Sequence, residues 1–424
     1  MSVPTLDDLI KDAQTSFDLT EPTDQKSLYE LSNQLLELPE VSSEQLREAA
    51  RRKETPLEFK IAAKLVESKR FLVRNDQPVR VGIVFAMWGE QHRLLAKSSA
   101  NPHGEDALRV KLHQLHWATC DSPVEWTVYA VDDGCPHGSG GIAAEIAAEH
   151  PLGNRVKVLS LADALPADLG PLAHLQSVDD SRKGGAVLLG CMQALADGMD
   201  AVIYTDADTS VHLGQIGLLL QKFIDDKARV LLGNRKDPDA VLVKQESRWG
   251  VGIKLLRHMQ RMVGHSIFSQ GILDTQAAFK LYHCDVLQKI IQQPTVYDFS
   301  FDTDWILAAI AMNERFVKVP FAFIDSFAQS ASITQGPMTT WETLLKGLVK
   351  AVRKHGVPHN QAMARVLDEE IRTSADLDLL IGHLPPELAN TVDKDLGDPA
   401  VMPPEAVQAW IQYRKAEAVK EGAG

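Results

Sequence analysis

Asp206-Ala207-Asp208 follows directly on a short apolar run, Ala201-Val202-Ile203-Tyr204. The run reads as a buried strand, and the two acids as carboxylates set at its C-terminal end. In an open α/β sheet that edge is where ligands bind. Two carboxylates one residue apart can hold a hard divalent cation, because Mg²⁺ takes one or two carboxylates together with substrate phosphates. The plainer reading is a solvated loop that caps the next helix.

Three further polar turns decide between these readings by their order. Upstream, the strand-like Val124-Glu125-Trp126-Thr127-Val128-Tyr129-Ala130-Val131 runs into Asp132-Asp133-Gly134-Cys135. Between the two acid pairs lies Asp180-Ser181-Arg182-Lys183-Gly184-Gly185-Ala186, opening an apolar helix. Downstream comes Asp274-Thr275-Gln276-Ala277-Ala278-Phe279-Lys280-Leu281-Tyr282. Each turn is tied to a strand or a helix start.

With these four motifs in this order, the chain resembles the GT-A glycosyltransferases of the large family 2 type, closest in pattern to the dolichyl-phosphate glucosyltransferase-like branch. The resemblance spans about 79 to 326. Members of that branch carry Val-Asp-Asp-Gly-Ser, Gly-Lys-Gly-Ala, Asp-Ala-Asp and Asp-Thr-Gln-x-Gly-Phe-Lys-Leu. Here Cys135 replaces the Ser, Arg182 stands before Lys183 in place of Gly, and Ala278 replaces a Gly. The first strand ends Ala86-Met87-Trp88-Gly89-Glu90 rather than in Pro-x-Tyr-Asn-Glu.

The resemblance implies a metal-dependent transfer of a hexose from a nucleoside diphosphate sugar, UDP more than GDP, with inversion at the anomeric carbon. A diphosphate leaving group builds negative charge that Mg²⁺ or Mn²⁺ neutralises as a Lewis acid. It implies Asp208 as the direct metal ligand, with Asp206 nearer the ribose or a metal-bound water. Asp132 or Asp133 falls at the nucleobase end, where a carboxylate accepts from the N–H groups of uracil or guanine. The plain alternative there is a tight reversal at Asp133-Gly134. Lys183, with Arg182 beside it, matches the basic turn that approaches the donor, where glycines let backbone come close. Arg235, after Leu232-Gly233-Asn234, is a further donor-side group.

A general base must lie near the acceptor hydroxyl. Asp274 is the first candidate, and Asp302 and Asp304, in Phe301-Asp302-Thr303-Asp304-Trp305, are the others. A phosphate acceptor is already anionic and needs no base. The segment 244–265 adds Arg248, Arg257, His258, Arg261 and His265 as groups that could close over a diphosphate, or a solvated helical face. His258, His265 and His283 are candidate third metal ligands.

Composition narrows the field. The 424 residues are 45% apolar and 24% charged, ordinary values for globular protein. A formal net charge of −13 argues against nucleic-acid binding, which needs cations for phosphates. Cys120, Cys135, Cys191 and Cys284 are scattered, with no Cys-x-x-Cys pair, so neither zinc nor a disulfide framework is indicated. No apolar run reaches the ~18 residues of a membrane span, and Met1-Ser2-Val3-Pro4 does not open a signal peptide. The expected setting is cytoplasmic, with peripheral membrane contact as an alternative.

The expected architecture is an α/β, Rossmann-like GT-A domain with a mostly parallel sheet over 76–335. It is flanked by a helical extension over 1–75 and another, with a frayed tail, over 336–424. Strand signals fall at Val79–Ala86, Val124–Val131, Arg155–Leu159, Ala201–Tyr204, Arg229–Leu232, Ala277–Tyr282 and Phe316–Pro320. Thr55-Pro56-Leu57-Glu58 has the form of a capping box, and Ser42 with Gln45 is a weaker start signal. Trp341, Leu344, Leu345, Leu348, Val349 and Val352 share a helical face, with Lys346, Lys350, Arg353 and Lys354 on the remainder. Such a helix lies on an anionic membrane or caps a soluble core. Helical arms at both ends could build a homo-oligomer.

The acceptor is open: a small molecule, a glycan or a lipid phosphate. A membrane-surface polyprenyl-phosphate transferase and a catalytically inactive sugar-nucleotide-binding protein are the alternative readings, and some soluble GT-A relatives retain configuration. A nucleotidyltransferase would need a Gly-rich loop after the first strand, which Ala86–Glu90 does not supply.

Overall fold

The computed structural model describes residues 4–244, 250–325 and 337–422. They form two compact units, one of Met1–Lys244, Ala277–Gln292 and Arg315–Ala328, the other of Gln245–Gln276, Gln293–Glu314 and Gln329–Gly424.

The first unit is built on one sheet. Its strands are β1 (Val79–Met87), β2 (Val124–Asp132), β3 (Val156–Ser160), β4 (Ala201–Thr205), β5 (Val230–Asn234), β7 (Phe279–His283) and β8 (Phe316–Pro320). The order is β3-β2-β1-β4-β7-β5-β8, and only β7 runs against the rest. The strands that alternation and apolar runs predict are all present, with ends shifted by a residue or two. Arg155 is one such shift, closing a short 3₁₀ turn instead of opening β3. A small parallel pair, β6 (Val241–Val243) with β9 (Ala322–Ile324), is too short to announce itself in the sequence.

Parallel strands covered on both faces must be apolar on both. All five residues of β4 are buried. Val81, Ile83, Phe85, Val128, Ala130, Ile203, Leu231, Phe279 and Leu281 form the continuous core with the surrounding helices.

The N-terminal helices α1 (Leu6–Asp12), α2 (Pro22–Leu36), α3 (Ser43–Arg51) and α4 (Leu57–Arg74) belong to this unit and share a second core with Val241, Ala322 and Ile324. Phe59, Ile61 and Leu65 of α4 are its buried stripe. Ser42 forms the capping box with Gln45. Thr55 does not cap α4: its hydroxyl donates to the Ala49 carbonyl, and Glu58 turns inward to accept from the Gln14 amide at 2.7 Å. The sequence pattern fits a capping box there, but burial of Thr55 and Glu58 claims both side chains for tertiary contacts.

The second unit is helical. Trp341, Leu344, Leu345, Leu348, Val349 and Val352 of the helix Pro337–Lys354 are buried within it. The apolar face of that helix is therefore packed on protein, as the soluble reading of its pattern expects. Among the described residues no helix is long and apolar enough to cross a membrane.

Candidate active site

β1, β2, β4 and β5 all end on one rim of the sheet. Met87 and Asp132 are register partners at the ends of β1 and β2, and the Asp133 amide donates to the Met87 carbonyl at 3.0 Å. Asp132 shapes the turn that follows. Its carboxylate accepts from the amides of Cys135 and Gly140, each at 2.7 Å. A Cβ on Gly140 would lie 2.6 Å from that carboxylate, so only glycine admits the contact.

Asp133 is buried and holds the second motif. One oxygen accepts from the Ser181 hydroxyl at 2.6 Å, and the other from the Lys183 amide at 2.7 Å. Burial pushes its carboxyl up, against the lowering effect of these two bonds. Lys183 needs such an anchor, since its backbone sits at φ +78° and ψ −46°, a region costly for a side-chain-bearing residue. Arg182 is exposed, and its guanidinium donates to the carbonyls of Asp179 and Ser181.

The Lys183 ammonium bonds the Asp206 carboxylate and lies 5.5 Å over the ring of Tyr204. Burial raises the Asp206 carboxyl, but Lys183, aided by Lys111 and Arg235, outweighs this and leaves it below the usual range. Arg235, just past β5, is stacked 4.9 Å over Phe323.

Asp208 is in the opposite condition. Its carboxylate accepts from the Ser210 amide at 3.0 Å, and among the described residues it forms no ion pair. Burial first, then Asp206 and Glu105, push its carboxyl up to about 6, an effect that Arg93 and Lys111 offset only in part.

Beneath this pair lies a network that sequence reasoning missed. Arg93 bridges Glu90 at 2.8 Å and Glu105 at 3.2 Å. Glu105 accepts from the amide and hydroxyl of Thr209, both at 2.9 Å. Lys111, fully buried, donates to the Asp208 carbonyl at 2.5 Å. These bonds fix the backbone that carries Asp208. The groups come from separate segments, so no local spacing marks them. The one signal available is a charged Lys111 between Val110 and Leu112 in an otherwise amphipathic helix.

Two acids on a fixed loop, one neutralised by lysine and the other without a paired cation, fit a divalent ion that completes its shell with donor phosphates. No cluster of three or more ligating side chains occurs among the described residues. His258 and His283 are occupied elsewhere. His258 bonds the Met402 carbonyl and the Gly397 amide, and His283 caps the helix Cys284–Ile290. Arg261 and Arg257 face Asp393, His265 is exposed, and Arg248 lies outside the described residues.

The candidate bases belong to the second unit. Asp274, Asp302 and Asp304 are all buried there. The Gln276 amide donates to the Thr303 hydroxyl at 3.4 Å, which joins the Asp-Thr-Gln motif to the Phe-Asp-Thr-Asp helix start. Asp304 is paired with His355 at 2.8 Å and Lys354 at 3.7 Å.

No family model matches the chain. It is 26% identical over 206 residues to the undecaprenyl-phosphate mannosyltransferase of Micrococcus luteus, covering 48% of this chain and 74% of that protein. It is 27% identical over 201 residues to the polyprenol monophosphomannose synthase of Mycolicibacterium smegmatis, covering 47% of this chain and 66% of that one. The chain is a glycosyltransferase, similar in its motifs to the GT-A enzymes of the family 2 type. Among solved structures, the glycosyltransferase is similar to mannosyl-3-phosphoglycerate synthase from Rubrobacter xylanophilus. The TM-score is 0.46 at 15% identity, over 69% of this chain and 78% of that one.

Proposed function

We propose that this glycosyltransferase moves a hexose from a nucleoside diphosphate sugar to a phosphate-bearing acceptor, with a divalent cation at Asp208. The observation that carries the reading is the Asp206–Asp208 pair at the end of β4, where Lys183 neutralises one acid and none of the described residues pairs with the other. The names of the two relatives favour a mannosyl group and a polyprenyl phosphate acceptor.

In this reading the bound cation supplies Lewis-acid stabilisation of the departing diphosphate. Lys183 and Arg235 add fixed positive charge on the same side, worth more in a partly dry rim than in water. Asp133 and Ser181 hold the strained turn that aims Lys183. Arg93, Glu105 and Lys111 keep the Asp208 backbone from moving as charge develops. Trp88, 38% exposed just past β1 and edge-on to the His137 ring, offers an aromatic face to the nucleobase beside Asp132 and Asp133.

The acceptor oxygen attacks the anomeric carbon from the side opposite the diphosphate, which inverts configuration. A phosphate oxygen needs no deprotonation, and Asp274 then positions the acceptor. With a hydroxyl acceptor, Asp274 takes the proton.

The test is binding and transfer with purified protein. UDP- and GDP-hexoses are titrated with and without Mn²⁺ or Mg²⁺, and the nucleotide sugar that binds is offered with polyprenyl phosphate or with water-soluble phosphorylated acceptors. Metal-dependent binding of one nucleotide sugar and transfer to a phosphate-bearing acceptor is expected. Donor binding that ignores the metal overturns the role of Asp208.

A further inference from the structure

A second polar pocket lies away from the rim, between α3, α4 and the loop joining β5 to β6. It encloses about 120 Å³ and is lined chiefly by Arg47, Arg51, Lys60, Lys64, Glu67 and Asp239. The lining carries four cations against two carboxylates, in a chain whose formal net charge is −13.

Both carboxylates are already taken. Asp239 is gripped through both oxygens by Arg51, at 2.5 and 2.8 Å. Glu67 pairs with Arg47 at 3.3 Å, and Arg47 also reaches Glu44. Lys60 and Lys64, one turn apart on α4, are left. Neither has a hydrogen bond or ion pair among the described residues. Lys64 is only 4% exposed and still borders the cavity. Burying an ammonium without a paired counter-charge is unfavourable, and burial lowers its pKa although Glu67 and Asp239 oppose the shift.

The seam extends in the same character. Adjoining it are a space bordered by Lys222 and Lys318 and another bordered by Arg70 and Arg74, each sharing Arg47 and Glu67 with the first. A compact dianion would satisfy both free lysines and keep the arginine pairs intact. A single monovalent ion would leave one ammonium uncompensated. Lysine ammonium groups with three donors each suit phosphate oxygens.

We infer that the α3–α4 pocket is a phosphate-binding site, separate from the Asp206–Asp208 rim, in which Lys64 and Lys60 hold a phosphate or phosphomonoester. The inference does not depend on the glycosyltransferase reading. Pro238 and Asp239 of its wall lie on the loop that begins at Arg235, so the site sits at the far end of a donor-side element.

Thermal unfolding of the full chain tests it, using inorganic phosphate, a soluble phosphomonoester and vesicles carrying phosphatidic acid, against chloride at equal ionic strength. The wild type is expected to gain about 2 °C or more at saturation with at least one of these. Lys64→Met should abolish the gain, and Lys60→Gln should weaken the apparent affinity severalfold. Lys183→Met, which alters only the rim, should keep the gain. Lys64→Met should also be at least as stable as wild type in chloride, because it removes a buried unpaired ammonium. The probe that stabilises identifies the source as free anion, metabolite or lipid headgroup. No gain with any probe, or an equal gain in Lys64→Met, overturns the site. Loss of the gain in Lys183→Met instead assigns phosphate binding to the rim and equally overturns it.

Discussion

The ammonium of Lys183 neutralises Asp206 and leaves Asp208, two residues on, without a paired cation among the described residues. One lysine thus divides two chemically identical acids into a quiet carboxylate and a demanding one. Asp208→Asn should remove metal-dependent donor binding. It should leave stability equal to or above that of the wild type, since it relieves repulsion from Asp206 and Glu105. Calorimetric titration of the donor with and without Mn²⁺ checks the first half, and urea unfolding the second. Retained Mn²⁺ dependence would refute the assignment.

Lys183 combines a charge with a strained backbone, and two substitutions separate them. Lys183→Met keeps the strain and removes the ammonium. Lys183→Gly removes both. Donor affinity should fall in each to a similar extent, while the glycine variant should be about 1 kcal/mol or more the stabler of the two. Equal stabilities would show that Asp133 holds the turn without strain.

How much of this is legible in the sequence follows from where the forces are local. Strands announce themselves through apolar runs, and the rim acids through position after those runs, so Asp132, Asp133, Asp206 and Asp208 are readable. Charged groups that reach the Asp208 loop from elsewhere in the fold are not. Arg93, Glu105 and Lys111 act on Asp208 and its loop from segments about a hundred residues upstream. The reversal of β7 is equally hidden, because antiparallel and parallel strands buried on both faces have the same apolar composition. The α4 start misleads for a related reason: Thr55 and Glu58 match a cap by spacing, and tertiary partners outcompete the local ones.

Acid should unfold the first unit through His212. Its Nδ1 accepts from the Gly214 amide at 3.0 Å, its Nε2 is buried with no hydrogen-bond partner among the described residues, and burial, then His113 and Lys111, push its pKa down to about 3. The folded state therefore resists a proton that the unfolded chain takes up near its ordinary value of about 6.5. Stability from this group is complete above that value and is lost as pH falls toward 3. The loss should be on the order of 2 kcal/mol by pH 5. Urea midpoints of wild type and His212→Gln, followed from pH 7.5 to about 5, should converge as the pH drops. Parallel curves would exclude His212 as the acid-sensitive group.

Asp274 and Asp304 should fail in different ways. Asp304 is nearly inaccessible and pairs with His355 and Lys354, so Asp304→Ala should destabilise by about 3–5 kcal/mol, the range for an orphaned buried pair. Asp274→Asn should lower kcat far more than donor affinity, in line with its proposed acceptor-side role. Equal loss of turnover and donor affinity in Asp274→Asn would move that residue to the donor side and favour Asp302 as base. Unfolding curves and steady-state kinetics on the same preparations distinguish these outcomes.

The chain passes from one compact unit to the other at 244/245, 276/277, 292/293, 314/315 and 328/329. Neither unit is therefore a continuous stretch of polypeptide, and neither can be cut free with a single break. During synthesis the sheet cannot close until β8 has emerged, because β5 waits for a partner more than eighty residues downstream. The second unit waits longer still, for the residues after 328. A chain interrupted between 328 and 355 would carry a finished sheet, with its Asp206–Asp208 rim intact, and a helical unit missing the segment that supplies His355 to Asp304.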